Sequence, residues 1–371
     1  MILKGFYSEV DIKTLRFGTN DVKDWVGQMI LRGFNFRFIV RALLDTIFLF
    51  KDVISMKITG VSHKESYKRL LGSFFLFGGT LNLRAAKLLG KPKEKFSNVG
   101  LLEKFTPAEL DRAASKLKSE GYVVFENVIT PELCQLILEE SGKIPGKTRM
   151  MDQGNGIVEE KFFDRSSPTS VRFDYAGSNL ISNKTLQQIV FDESILSFAQ
   201  KYLGVAPILD LVAMWWHTTF AKSPDKEAAQ WFHFDMDHLK WIKFFFYITD
   251  VDENTGPHTF VARSHKSFGI PFKLRSKGYV RLTDDEVAAA FTPESFKEFV
   301  GKRGTLIVED TRGLHKGKHC ISGDRLLFQL EFAASTFGAP IEKLEMSGAS
   351  NEAKVLIQKY PHTYQMVEVV G

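Results

Sequence analysis

The chain is poor in cysteine: its 371 residues contain only Cys134 and Cys320. Two thiols build neither a disulfide framework nor a cysteine-based zinc site. Long uncharged hydrophobic runs are also missing. Residues 28–55 are apolar but carry Arg32, Arg37, Arg41, Asp45 and Lys51, whereas a spanning helix needs about 20 nearly uncharged residues. Residues 70–84 are short for a span and are interrupted by Gly72, Gly78 and Gly79. The first thirty residues hold eight charged side chains between Lys4 and Asp24 and no apolar stretch fit for a secretory signal. These absences predict a cytoplasmic protein with reduced thiols and no transmembrane segment. Charge of one sign is scarce as well, with 49 Lys and Arg against 44 Asp and Glu, a net of +5. Nucleic-acid binders carry denser basic clusters, so no nucleic-acid partner is expected and the small excess points to an anionic ligand or surface. Internal repeats and low-complexity tracts are lacking.

Phenylalanine is abundant. The 33 Phe residues are about double ordinary usage and can fill a large core. Ile39, Leu43 and Ile47 recur at helical spacing, which predicts a helix packed on one face. An in-plane membrane helix with its arginines on the polar face is the second reading of this segment. Residues 84–104, with Gly90 and Pro92, read as a basic connector. Thr106-Pro107-Ala108-Glu109 then has the form of a capping box with Pro in the first turn, so a helix should run to Gly121. A short β-rich run over 122–128 and a helix from Thr130-Pro131 to about Ser141 follow. Beyond residue 145 short apolar runs alternate with turns, at 170–175, 208–220, 231–235, 241–249, 257–262, 304–309 and 324–334. That texture argues for a β-sandwich or barrel, interrupted by one helical insert from Asp284 to Val300. The fold class is therefore mainly β with helices. The expected organisation is a helical region over 1–104, a β-rich domain over 105–340 and an extension over 341–371.

Chemistry concentrates around Trp231-Phe232-His233-Phe234-Asp235-Met236-Asp237-His238. In an extended strand, residues i and i+2 share a face, so His233 and Asp235 can reach one point while Phe234 turns away. An imidazole and a carboxylate so placed are two ligands of a 2-His-1-carboxylate triad, with His315, about 80 residues on, as the third. A lone His-x-Asp is weak evidence, and its ordinary reading is an ion pair on a surface strand. Asp237, His238 and His319 are rivals for ligand positions, more simply read as loop residues. Cys320 is a thiolate candidate but is better read as a small buried side chain. Lys243 falls on the same face as Trp241, Phe245 and Tyr247. A lysine in a Phe-rich strand needs a partner, either a carboxylate of a bound ligand or water reached by a stem lying along the barrel.

The surroundings raise the odds for the triad. Thr249-Asp-Val-Asp-Glu-Asn-Thr-Gly-Pro257, Arg263-Ser-His-Lys266, and His315 followed ten residues later by Arg325 occur in an order that resembles the phytanoyl-CoA dioxygenase family of iron(II)- and 2-oxoglutarate-dependent oxygenases. The resemblance runs from roughly Leu110 to Phe332 and includes Glu120-Gly-Tyr-Val-Val-Phe125; residues 1–100 take no part in it. It implies a double-stranded β-helix, a cupin-like jelly roll with the metal at one mouth. It also implies Fe(2+) held by His233, Asp235 and His315, with 2-oxoglutarate and O2 as co-substrates. Arg325 would pair with the distal carboxylate of 2-oxoglutarate, as suits an Arg fork, and Lys243 is the second candidate to contact the co-substrate. Many members carry Ser or Thr two residues after the distal His, where this chain has Gly317. The implied reaction couples decarboxylation of 2-oxoglutarate to succinate with hydroxylation of an unactivated C–H bond. Relatives that halogenate replace the ligating carboxylate by a small residue, so Asp235 favours hydroxylation.

The expected substrate is a small or lipid-like, anionic molecule. Residues 145–170 and 218–230 would shape its specificity, with Ala221–Gln230 as a lid. Peripheral membrane contact and a homodimer both stay open as partner modes. Two other classes remain: a metal-free cupin-like binding module, and a zinc hydrolase using the same three ligands plus water. Arg325 argues against both.

Overall fold

The computed structural model describes residues 36–148, 160–225 and 228–370. Three helices lead: α1 (Phe36–Thr59), α2 (Ser66–Phe77) and α3 (Thr80–Leu89). Gly78 and Gly79 sit in left-handed conformations, with φ of 57° and 85°, which only glycine adopts readily, and there the chain breaks between α2 and α3. α1 buries Ala42, Leu49 and Val53 and is clamped to α2 by Arg69 on Asp52 at 2.7 Å. The helix expected over 28–55 is thus present from residue 36, and its earlier part lies outside the described residues.

Helix α4 (Pro107–Glu120) begins with the expected capping box: Thr106 accepts from the Glu109 amide while Glu109 reaches back to the Thr106 amide. Strand β1 (Tyr122–Phe125) and helix α5 (Pro131–Ser141) follow as the sequence predicts. Next come β2 (Gly146–Thr148), β3 (Glu160–Lys161) and β4 (Arg172–Tyr175). Three helices absent from the sequence reading then pack together: α6 (Gly177–Ser182), α7 (Lys184–Val190) and α8 (Glu193–Leu203). Asn183 and Asp192 cap the last two.

The barrel closes with β5 (Ile208–Thr218), β6 (Trp241–Tyr247), β7 (His258–Val261), β8 (Phe296–Phe299), β9 (Leu306–Glu309), β10 (His315–Gly317) and β11 (Asp324–Ala333). The larger sheet runs β1-β9-β6-β11-β5-β4-β2-β3 and the smaller β10-β7-β8, all antiparallel. These facing sheets are the double-stranded β-helix. Trp215, Phe245, Tyr247, Phe260, Ile307 and Leu327 fill the space between them. The outer face of the large sheet packs against the helices through a larger core containing Phe198, Trp241, Phe244 and Phe328. Beyond the barrel, β12 (Leu344–Met346) pairs in parallel with β13 (Val367–Val369) across helix α11 (Asn351–Lys359).

Two expectations need correction. The helical insert is only one turn and a half, α10 (Asp284–Ala288); the short α9 (Phe272–Arg275) precedes it. Phe296–Phe299 is a strand instead: the helix ends at Ala288, Pro293 opens a single 3-10 turn, and the residues that follow pair with β7. Residues 231–235 are not a regular strand either; they are held by two isolated bridges, Phe232 to Leu282 and His233 to His315.

Candidate metal and co-substrate site

His233 and His315 lie directly opposite each other, exchanging backbone hydrogen bonds of 3.0 and 2.8 Å. Asp235, two residues on, donates its amide to the Thr311 carbonyl at 2.8 Å, which fixes the third corner. The Nε2 atoms of His233 and His315 stand 3.9 and 3.5 Å from the Asp235 carboxylate. Each Nδ1 faces a backbone carbonyl, that of Trp231 at 3.0 Å and of Gly313 at 2.9 Å. A carbonyl only accepts, so both rings carry their proton on Nδ1 and point the Nε2 lone pair inward. Burial, joined by mutual repulsion of the rings and Arg281, pushes His233 well below its ordinary value. Burial likewise lowers His315. Burial would raise Asp235, but the Lys243 ammonium beside it holds it below the usual carboxylate range. Two neutral imidazoles and one carboxylate, converging with their atoms within 4.8 Å, form a donor set that fits a divalent transition metal.

Positioning extends outward from these three. Ser264, in the Arg-Ser-His-Lys segment, accepts from the Leu314 amide at 2.8 Å and donates to the Val261 carbonyl at 2.6 Å. That hydroxyl anchors the turn entering His315. His258 stacks near His315 with ring centroids 5.6 Å apart and meets Glu309 at 2.8 Å. Burial lowers His258 to about 3 and raises Glu309 to about 8, so this inner pair is neutral.

The triad opens on a cavity of about 410 Å³ whose lining includes Arg325, His217, His258, Lys243, Arg172 and Arg281. Arg325 is 1% exposed and opposite His217 across β5 and β11. One guanidinium nitrogen donates to the Gly256 carbonyl, and the other lies 2.6 Å from His217 Nδ1. His217 Nε2 donates to the Ala228 carbonyl at 3.1 Å, which leaves Nδ1 as the acceptor for Arg325. Burial and Arg325 keep this imidazole neutral. Among the described residues Arg325 forms no ion pair, and its Nε has no partner. Gly317 explains itself at this point: a Cβ there would stand 2.9 Å from an Arg325 nitrogen and 3.1 Å from His217 Cε1. The space that a Ser or Thr side chain would need is taken by the Arg325–His217 pair.

Lys243 projects into the same cavity, where its ammonium meets Asp235 at 2.7 Å and Asp237 and Glu331 at 3.1 Å each. Asp237 therefore faces Lys243. His238 lies 2.5 Å from Asp210 and 4.0 Å from Glu331, forming a second buried group of ligand-type side chains. A register shift makes Asp210 the extra residue of a bulge facing Glu331 and Phe332. Protons balance this group. Burial raises Glu331 well above its ordinary value, and Asp210 overcomes the burial that would otherwise lower His238. His319 turns to Gln230 at 3.3 Å. Cys320 is buried and pushed up to about 11, which keeps it a thiol. The described part of Ala221–Gln230 lies beside the cavity, with Ala228 on His217 and the Ala229 carbonyl receiving the Gly317 amide at 3.0 Å.

Sequence reasoning missed His217 and His258. His258 follows Gly256-Pro257, inside the turn already singled out, so its neighbourhood was visible. His217 alternates with Trp215 on one strand face, but its pairing with Arg325 depends on register between strands 108 residues apart.

The profile of the phytanoyl-CoA dioxygenase (PhyH) family matches residues 117–325, more than half of the chain. The chain belongs to this family of iron(II)- and 2-oxoglutarate-dependent oxygenases and is an enzyme of that class. No curated protein matches the chain significantly. Similar solved structures include SnoN, an α-ketoglutarate-dependent epimerase from nogalamycin biosynthesis, at 16% identity over 62% of this chain and 84% of that one, with a TM-score of 0.42. HygX from Streptomyces hygroscopicus, with nickel and 2-oxoglutarate bound, is 13% identical over 67% and 94%, with a TM-score of 0.45. The carbocyclase SnoK, also from nogalamycin biosynthesis, is 15% identical over 66% and 87%, with a TM-score of 0.40. Among the described residues no helix is long and apolar enough to cross a membrane.

Proposed function

We propose that His233, Asp235 and His315 hold iron(II), that Arg325 binds the distal carboxylate of 2-oxoglutarate, and that the enzyme hydroxylates an unactivated C–H bond. The observation that carries this reading is the convergence of two tautomer-fixed imidazoles on one ionised carboxylate, beside a buried arginine with no protein counter-ion. With iron and 2-oxoglutarate bound, the site would supply O2 activation, with one oxygen atom going to the substrate and the other to succinate. The chain's own residues bind, orient and exclude water. His217 and the Gly256 carbonyl aim the Arg325 fork, and Trp215, Phe245 and Tyr247 wall the interior. Lys243 holds the Asp235 carboxylate and so acts on the metal ligand rather than on 2-oxoglutarate directly. A carboxylate at Asp235 rather than a small residue supports hydroxylation.

The substrate reading is a small anionic molecule. Arg172 is paired with Asp174, Lys243 with the Asp235 and Asp237 carboxylates and the Glu331 carboxyl, and Arg325 is assigned to the co-substrate. Arg281 is left, lining the cavity near His233 with no hydrogen bond or ion pair among the described residues. The Phe232–Leu282 bridge pins it there. The deciding experiment measures metal content and succinate formation from 2-oxoglutarate. Stoichiometric iron with 2-oxoglutarate-dependent succinate supports the proposal. A zinc-loaded protein with hydrolytic activity and no succinate, or a protein that binds no metal, overturns it.

A further inference from the structure

Residues 36–104 hold 13 Lys and Arg against 5 Asp and Glu. That excess of eight exceeds the chain's total of five, so the rest of the molecule is net acidic. The same region carries an apolar stripe on its outer side. Ile47, Phe50, Ile54 and Ile58 recur every three or four residues along α1, and Val61 continues the line beyond it. Phe50 is 66% exposed and Ile58 79%. The opposite side of α1 is already used, since Ala42, Leu49 and Val53 are buried. At 3.6 residues per turn, Lys51 falls on one flank of the stripe and Lys57 on the other, and both are exposed.

From these observations we infer that α1 is a docking face for an anionic lipid surface, lying in the plane of the interface. Exposed Phe and Ile flanked by lysines match the two requirements of such a helix, apolar area to insert and cations for the headgroups. A second copy of the chain suits the face poorly, because a two-fold contact sets one excess of eight against another. Nucleic acid would find the stripe itself without a cation. The helix cannot span, since it carries Arg37, Arg41, Asp45, Lys51, Asp52 and Lys57.

The docking face is mechanically connected to the active site. α1 is clamped to α2 through Asp52 and Arg69. α2 packs Phe74 on Phe234 at a centroid distance of 5.3 Å, and Phe234 lies between His233 and Asp235. The Phe75 carbonyl further receives the Arg275 side chain at 2.9 Å. Docking through α1 thus bears on the segment that carries His233 and Asp235. The inference stands without any assignment of the metal.

The test is co-sedimentation of the full chain with phosphatidylserine-rich vesicles and with phosphatidylcholine vesicles, at low and high salt. Binding is expected only to the former and should be lost on adding salt. Lys51→Glu with Lys57→Glu should weaken it about thirtyfold or more. The triple substitution Phe50→Ser, Ile54→Ser and Ile58→Ser should weaken it at least about tenfold, with the thermal midpoint and succinate formation retained. Failure of the wild-type chain to bind vesicles at low salt, or equal binding by both variants, overturns the inference. So does a wild-type dimer in solution that the serine variant converts to monomer, because the stripe would then be covered by a second copy.

Discussion

Two cations face the candidate metal from different directions, and they are held in opposite ways. Lys243 stands among Asp235, Asp237 and Glu331, so its charge is matched by protein carboxylates. Arg325 is buried just as deeply, but it rests on a carbonyl, a neutral imidazole and the nearby Tyr247 hydroxyl. A buried charge without a counter-ion is expensive, and natural proteins keep one where a ligand completes it. On the proposed assignment, Lys243 belongs to the scaffold that holds Asp235, whereas Arg325 is the cation left for an anion from outside. Side-chain type alone would have treated the two alike.

Both cations matter only if the triad holds a metal, and loss of that metal should give the largest effect. His233→Ala or His315→Ala should lower iron occupancy and succinate formation by more than about a hundredfold, beyond the 10–100-fold typical of outer-shell partners. Circular dichroism should show the barrel intact. Full turnover by either variant would sink the ligand assignment.

The two cations should then separate kinetically. Arg325→Ala should raise KM for 2-oxoglutarate more than about tenfold, since a charged hydrogen bond is worth roughly 1.5–3 kcal/mol. Lys243→Ala should instead lower iron affinity and the thermal midpoint, with KM for 2-oxoglutarate within about threefold of wild type; breaking a buried pair costs about 3–5 kcal/mol. Swapped phenotypes would reverse the assignment. A smaller effect sharpens the Arg325 side. Gly317→Ser forces a side chain against Arg325 and His217, and overpacking costs about 1–3 kcal/mol. KM for 2-oxoglutarate should rise severalfold while kcat stays within about twofold. An unchanged KM would show that the pair yields freely.

The smallest effect concerns the neutral pair behind His315. Glu309 has a folded pKa of about 8, raised from 4.5 by burial. The folded state therefore binds more protons than the unfolded state between those values, and stability falls as pH rises through that window. The contribution is complete below about pH 4.5 and lost above about pH 8. Glu309→Gln removes the titration, so its thermal midpoint should be flatter with pH and a few degrees higher on the alkaline side. Parallel midpoint curves for the two proteins would place Glu309's proton elsewhere.

Much of this was legible along the chain, for identifiable reasons. Thr106-Pro107-Ala108-Glu109 is a local device, and it forms the capping box it spells. The strands with strong β-branched and aromatic content lie where expected. His233 and Asp235 share a side as their i, i+2 spacing suggests, although the segment is no regular strand and is held by the His233–His315 bridge and the Asp235 amide on Thr311. The helices over 177–203 escaped notice because their apolar residues, such as Ile181, Ile189 and Leu196, fit short strands as readily as short helices until packing decides. The segment 289–300 erred the other way: Lys297 and Glu298 look helical, but an open edge at β7 recruits them.

By itself, the sequence determined the family and the barrel and put forward His233, Asp235, His315 and Arg325 as site residues, because these rest on residue identity and on periodicities read within a few residues. Only the tertiary structure decided what each charge meets. The partners of Lys243, the neutral clamp on Arg325, the steric reason for Gly317 and the exposed apolar stripe of α1 all depend on strand register and helix packing. Those contacts join residues up to 108 positions apart, and no local pattern encodes them.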